Sequence, residues 1–158
     1  MIEYFVGIDN SLSGAIAIVR LDGSPVAHMA MPQRPKDTVD SDAVLKFMEL
    51  HGAFEHNCMV ALERPHNFSL GSNATRIMWY CFGKLEAMLE CSGYHLFTPL
   101  SSAWQSVMLG VFPKGKSKEY AEKAILSIYE KPFARTKKEA GGINDAYLIA
   151  EWLRISQK

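Results

Sequence analysis

The sequence predicts an α/β fold in which a mixed five-stranded sheet is flanked by helices. Three observations carry this prediction. Runs rich in β-branched and other apolar residues at 3–9, 14–21, 25–31, 58–63 and 95–98 read as five strands. The first three follow one another through tight turns, as in a meander, whereas segments with helical apolar spacing precede the fourth and the fifth. The first and fourth runs each end in a carboxylate, Asp9 and Glu63, in front of a turn.

A chain of 158 residues is expected to form one domain, residues 1–158, whose core needs no staples. Apolar residues make up 48% and charged residues 22%, the proportions of a soluble globular protein. Lys and Arg match Asp and Glu at 17 each, so net charge singles out no class of partner. The distribution says more: between Phe112 and Lys138 eight Lys or Arg stand against three Glu. Such a tract suits a polyanion, and equally a solvated surface. Cys58, Cys81 and Cys91 form no CxxC and have no histidine at metal-ligand spacing, which predicts buried reduced thiols and no zinc site. No apolar run is long enough to cross a membrane, and a strand beginning near Glu3 leaves no room for a leader. A cytoplasmic setting, or a mature form already processed, is expected.

The first strand alternates Val6 and Ile8 with Gly7 and Asp9, which puts Asp9 on the face opposite the larger apolar side chains. Gly7 leaves space beside the acid, and Gly14 permits positive φ or a close backbone approach in the turn. A carboxylate closing an apolar strand must be paired, hydrogen-bonded or metal-bound; the alternative is that Asp9 only caps its own turn. Asp22-Gly23 is a hairpin signal, and the resulting meander makes the first strand the central one. Residues 32–40 read as an exposed loop. Asp40 or Ser41 then caps a helix with the stripe Ala43, Val44, Phe47, Met48 and Leu50.

The strand 58–63 is ended by Arg64-Pro65, and the loop 65–72 carries an exposed aromatic, Phe68. Asn73 is expected to cap a helix running to about Ser92, with Gly93 just past its end. That helix is apolar on more than one face, through Trp79, Tyr80 and Phe82 beside its inward stripe, which points to a subunit contact as well as core packing. After the strand 95–98, Ser101 or Ser102 caps a brief helix holding Trp104. Ser117 follows a basic loop with Lys114 and Lys116 and caps a helix to about Glu130. A second basic loop leads to Gly141-Gly142 and a final helix from about Asn144 to Ser156. On that helix Asp145 shares a stripe with Leu148, Ile149 and Trp152, so it is drawn toward the sheet. Its other reading is a first-turn acid complementing the helix dipole.

Asp9, Glu63 and Asp145 are thus three inward acids with no evident basic partner, and such a set would raise its own pKa values. A divalent cation resolves the repulsion, and all-oxygen ligands suit Mg²⁺ or Mn²⁺. Two such ions would activate water and stabilise the leaving oxygen in phosphodiester hydrolysis.

These residues resemble a known family. Gly7-Ile8-Asp9 with Ser11, Ser13 and Gly14, then Ala61-Leu62-Glu63-Arg64-Pro65, then Asn144-Asp145-Ala146-Tyr147-Leu148-Ile149-Ala150 is similar to the RuvC-type Holliday junction resolvases, in the same order and over essentially the whole chain. The resemblance implies a ribonuclease H-like fold. It also implies a homodimer that binds branched DNA, a four-way junction, and nicks it symmetrically with Mg²⁺ or Mn²⁺, two ions being expected, and with no small-molecule cofactor and no membrane. Glu63, Pro65 and Phe68 are similar to the pattern of the chloroplast branch; with no transit peptide, a bacterial or phage source is the natural expectation. Carried over by position, Asp9, Glu63 and Asp145 are the metal-binding acids and Lys118 lies near the scissile phosphate, completing the catalytic set. Phe68 matches an aromatic that wedges into the junction, with packing under its own loop as the alternative. Arg64, Lys114 and Lys116 join Phe68 as DNA-binding candidates. The chain departs from the family at Gly142, where the bacterial branch usually carries another acid or histidine. Rival readings are a related nuclease on other branched DNA or RNA–DNA hybrids, and a weakly catalytic junction-binding protein.

Overall fold

Strand β1 (Tyr4–Ile8) is the middle of a five-stranded sheet in the computed structural model, which describes residues 1–35, 38–66, 72–133 and 136–157. On one side β1 pairs antiparallel with β2 (Ala15–Arg20), which pairs antiparallel with β3 (Pro25–Ala30). The β2–β3 turn is the expected hairpin. Gly23 takes φ +89°, Arg20 N–H donates to Ser24 O at 2.9 Å, and Asp22 Oδ1 accepts from Ser24 N–H at 2.8 Å. The segment expected to be an open loop instead forms a short hairpin of β4 (Gln33–Arg34) and β5 (Thr38–Val39), because Met31 and Val39 are buried and draw it against the core. On its other side β1 pairs parallel with β6 (Cys58–Leu62), and β6 with β7 (His95–Phe97). Helices α1 (Ser41–Leu50) and α2 (Asn73–Cys91) precede these two strands, since parallel neighbours need a long crossover. Helices α3 (Ser101–Met108), α4 (Ser117–Tyr129) and α5 (Lys137–Ser156) complete the chain.

Several helix starts differ from expectation for local reasons. Asp40 does cap α1, accepting from Ala43 N–H at 3.3 Å. The cap of α2 is Ser72 rather than Asn73, with Oγ accepting from Thr75 N–H at 3.1 Å. Ser101 and Ser117 are first helical residues instead of caps. The largest correction is α5, which begins two turns early. Thr136 Oγ1 accepts from Glu139 N–H at 3.4 Å, so Thr136-x-x-Glu139 is the start signal and Gly141-Gly142 lie inside the helix. Asp145 is therefore a mid-helix residue, which removes its reading as a first-turn dipole partner.

Period-2 alternation sorts the strands into two cores. Val6 and Ile8 of β1 and Val60 and Leu62 of β6 pack toward α1 and α2. Phe5 and Ala61 point the other way, toward α3, α4 and α5. Leu50 falls outside the α1 stripe, at 80% exposure, and Cys91 is exposed at the end of α2, whereas Cys58 and Cys81 are the buried thiols expected. Helix α5 is sunk into the second core so deeply that from Gly142 to Ala150 every residue is buried except Asp145, which is half-buried.

Candidate active site

The same alternation places the first two acids. Asp9 follows Ile8 and Glu63 follows Leu62, and Ile8 and Leu62 are partners in the parallel ladder. The ladder continues past them, with Glu63 N–H donating to Ile8 O at 2.9 Å and Asp9 N–H to Ala15 O at 3.0 Å. Adjacent strands lie about 4.8 Å apart, so the two carboxylates leave the sheet side by side, on the α5 face. The third acid arrives through close packing. A Cβ on Gly7 would stand 2.1 Å from Ala146 O and 2.4 Å from Ala150 N, so α5 rests directly on the backbone of β1. The space at Gly7 thus belongs to α5 rather than to the acid. Because Asp145 precedes Ala146, this contact sets it beside the end of β1.

The turn after β1 is equally tight. A Cβ on Gly14 would lie 2.1 Å from Asp9 O and 2.8 Å from Asp9 Cγ, so Gly14 serves a close approach and not a positive φ. Position 142 has no room either: its Cβ would be 2.4 Å from Ser13 O and 2.7 Å from Gly14 Cα. An acid or histidine cannot stand there without moving the turn, which is the physical reason for the departure at Gly142. Of the oxygen donors nearby in sequence, Asn144 is buried and Glu139 is exposed.

Each strand-end acid has a hydrogen-bond partner. Ser11 N–H donates to Asp9 Oδ1 at 3.0 Å, so Asp9 does cap its turn and keeps its second oxygen for other work. Trp104 Nε1–H donates to Glu63 Oε2 at 2.8 Å. A cleft of about 380 Å³ opens beside them, lined by Asp9, Asp145, Lys118, Ser11, Ser13 and the two α5 glycines. The ammonium of Lys118 lies against Gly141, 3.4 Å from where a Cβ would be.

Burial is the main force on all three carboxyls. It raises the pKa of Asp9, opposed by the Ser11 hydrogen bonds and the charge of Lys118. Burial and then the charge of Asp9 push Glu63 up to about 7, against the Trp104 bond. Burial, Asp9 and Glu63 push Asp145 up to about 8, with Lys118 opposing. Both values exceed the ordinary carboxylate value near 4, so between those limits the folded chain binds more protons than the unfolded one. Stability then falls as pH rises. The melting temperature in EDTA is expected to drop between about pH 4 and 8, with a shallower drop in Asp145→Asn. A flat profile in the wild type would show that the folded protein does not raise these carboxyls.

The donor set is all oxygen and short of positive charge, the chemistry of a hard divalent cation. As the side chains stand, no three His, Cys, Asp or Glu among the described residues form a group that could hold a metal ion.

The remaining candidates are spread around this centre. Arg64 is exposed, with its guanidinium 5.9 Å from the centre of the Trp79 ring. Lys114 and Lys116 are exposed on the loop before α4, and Lys116 pairs at 3.2 Å with Glu119, which also holds Lys123 at 2.9 Å. Phe68 lies outside the described residues. Sequence reasoning placed Trp104 on its helix without giving it a partner; the available signal was that a buried indole N–H usually finds an acceptor.

A mixed sheet in the order β3-β2-β1-β6-β7, flanked by helices, is the ribonuclease H-like α/β fold of RuvC. The structure of Thermus thermophilus RuvC superposes with a TM-score of 0.68 at 14% identity, covering 97% of this chain and 96% of that one. T. thermophilus RuvC in complex with a Holliday junction substrate gives 0.68 at 11% identity, over 98% and 95%. At such identities the likeness is one of fold. No protein-family model and no curated protein matches the sequence.

Proposed function

We propose that the chain is a structure-specific endonuclease that resolves four-way DNA junctions by divalent-metal-dependent phosphodiester hydrolysis, as a homodimer. The observation that supports this is that Asp9, Glu63 and Asp145 lie near enough to one another, past the ends of β1 and β6 in a RuvC-like sheet, for their charges to interact, each with its pKa raised. A solved structure of that fold with a junction bound supports the choice of substrate. For the dimer, support comes from α2, where Tyr80 is 59% exposed beside the half-buried Met78 and Trp79.

In this reading Asp9, through the oxygen not held by Ser11, Glu63, through the oxygen not held by Trp104, and Asp145 bind Mg²⁺ or Mn²⁺. A cation held by these residues would supply activation of water and charge stabilisation at the leaving oxygen. The backbone positions of the three acids are fixed by the ladder and by the α5 contact. Lys118, second residue of α4 and on the rim of the cleft, meets the scissile phosphate. Phe68 enters the junction centre, where apolar wedges unstack bases. Labelled junction, linear duplex and RNA–DNA hybrid are incubated with and without Mg²⁺. Cleavage of the junction alone, and only with Mg²⁺, is expected; preferential cleavage of the hybrid refutes the reading.

Lys114 and Lys116 supply phosphate contacts next to this centre. Replacing both by Ala is expected to weaken junction binding and to lower the slope of log K against log salt by about 0.9 for each phosphate no longer neutralised. An unchanged slope assigns them to a solvated surface. The Glu119 pair does not argue against the role, since an exposed ion pair is screened by solvent and contributes little.

A further inference from the structure

We infer that Trp104 is the positioning residue for Glu63, holding one carboxylate oxygen so that the other is presented to the cation. The inference rests on the metal-dependent reading above. Trp104 is 1% exposed, and its only polar side-chain atom donates to Glu63 Oε2 at 2.8 Å. An indole is a donor without acceptor capacity, so it can bond a carboxylate oxygen, and here it is buried against one. The bond is not a general requirement of buried indoles in this chain. Trp79 Nε1 is also buried and has no hydrogen-bond partner among the described residues.

The helix that presents Trp104 is itself fastened to the tail of β6. Arg64 N–H donates to Pro99 O at 2.8 Å, Arg64 bridges Leu100 in parallel, and His66 Nε2 lies 2.5 Å from Ser101 Oγ. Ser101 and Trp104 are three residues apart, so they share one face of α3. That face is anchored at residue 66 and again at residue 63, both just past the strand end. Among the three acids Glu63 has most need of this. It has one more rotatable bond than an aspartate, so its carboxylate has more freedom to lose. Asp9 is held by the backbone of its own turn and Asp145 by a helix buried on nearly all sides. Glu63 is held by a side chain distant in sequence.

Partners that orient a metal-binding group change metal affinity by about 10–100-fold when removed. Trp104→Phe, which keeps an aromatic ring and removes the N–H, is expected to weaken Mn²⁺ binding by that factor in calorimetric titration of the full chain. Replacement of Trp104 by benzothienylalanine, which keeps the bicyclic shape with sulfur in place of N–H, is expected to do the same with little change in the metal-free melting temperature. A purely structural role lowers the melting temperature equally in EDTA and in Mn²⁺. A positioning role specifically reduces the increment that Mn²⁺ adds. Mn²⁺ affinity within about twofold of wild type in the benzothienylalanine protein overturns the inference and leaves the metal reading standing. A wild type that binds no Mn²⁺ overturns both.

Discussion

Asp145→Asn, Asp9→Asn and Glu63→Gln are each expected to lower junction cleavage by about 10²–10³-fold or more, the scale of losing a group that stabilises the transition state. Junction binding is expected to survive in all three. Phosphate contacts from lysines and arginines dominate affinity for DNA, and each variant removes a negative charge from beside the substrate, so binding holds or tightens. Single-turnover cleavage measured beside binding by fluorescence anisotropy separates the two quantities. A variant that cleaves near the wild-type rate removes its residue from the metal-binding set.

The second large effect is on stability. Gly7→Ala would place a methyl group 2.1 Å from Ala146 O and 2.4 Å from Ala150 N. Both neighbours are backbone atoms of a buried helix, so no side chain can rotate away and α5 must lift from β1. Overpacking of this kind costs about 3 kcal/mol or more. In a chain of this size that corresponds to a fall of about 10 °C in melting temperature. The same displacement carries Asp145 away from Asp9, so residual folded protein is expected to lose cleavage as well. A Gly7→Ala protein with wild-type melting temperature and activity would mean that α5 does not depend on this contact.

What the sequence could and could not say follows from the range of each interaction. Alternation along a strand is local, and it places Asp9 and Glu63 on the right face. The central position of β1 follows from the meander around Asp22-Gly23. The contact between Gly7 and Ala146 joins residues far apart in sequence, and from the strand alone the glycine looks like room for the acid. The start of α5 was legible in Thr136-x-x-Glu139 but was hidden by Gly141-Gly142, since two glycines ordinarily end a helix. They are tolerated because Gly142 must pass Ser13 and Gly14 within a distance no side chain allows. The pairing of Trp104 with Glu63 had no local pattern at all. It depends on α3 folding back onto the end of β6, which only the assembled sheet defines. Phe68 lies outside the described residues, and its place at the junction is a reading of the sequence.

Strand-resolved mapping of the products from a mobile four-way junction tests the central claim most directly. The protein is incubated with junction labelled on each of its four strands in turn, in Mg²⁺, in Mn²⁺ and in EDTA, and the products are separated under denaturing conditions. The account predicts nicks at matching positions on two opposing strands, present with either cation, absent in EDTA and absent in Asp145→Asn. A junction that is bound but left uncut in both cations, or cut with equal efficiency in EDTA, would contradict it.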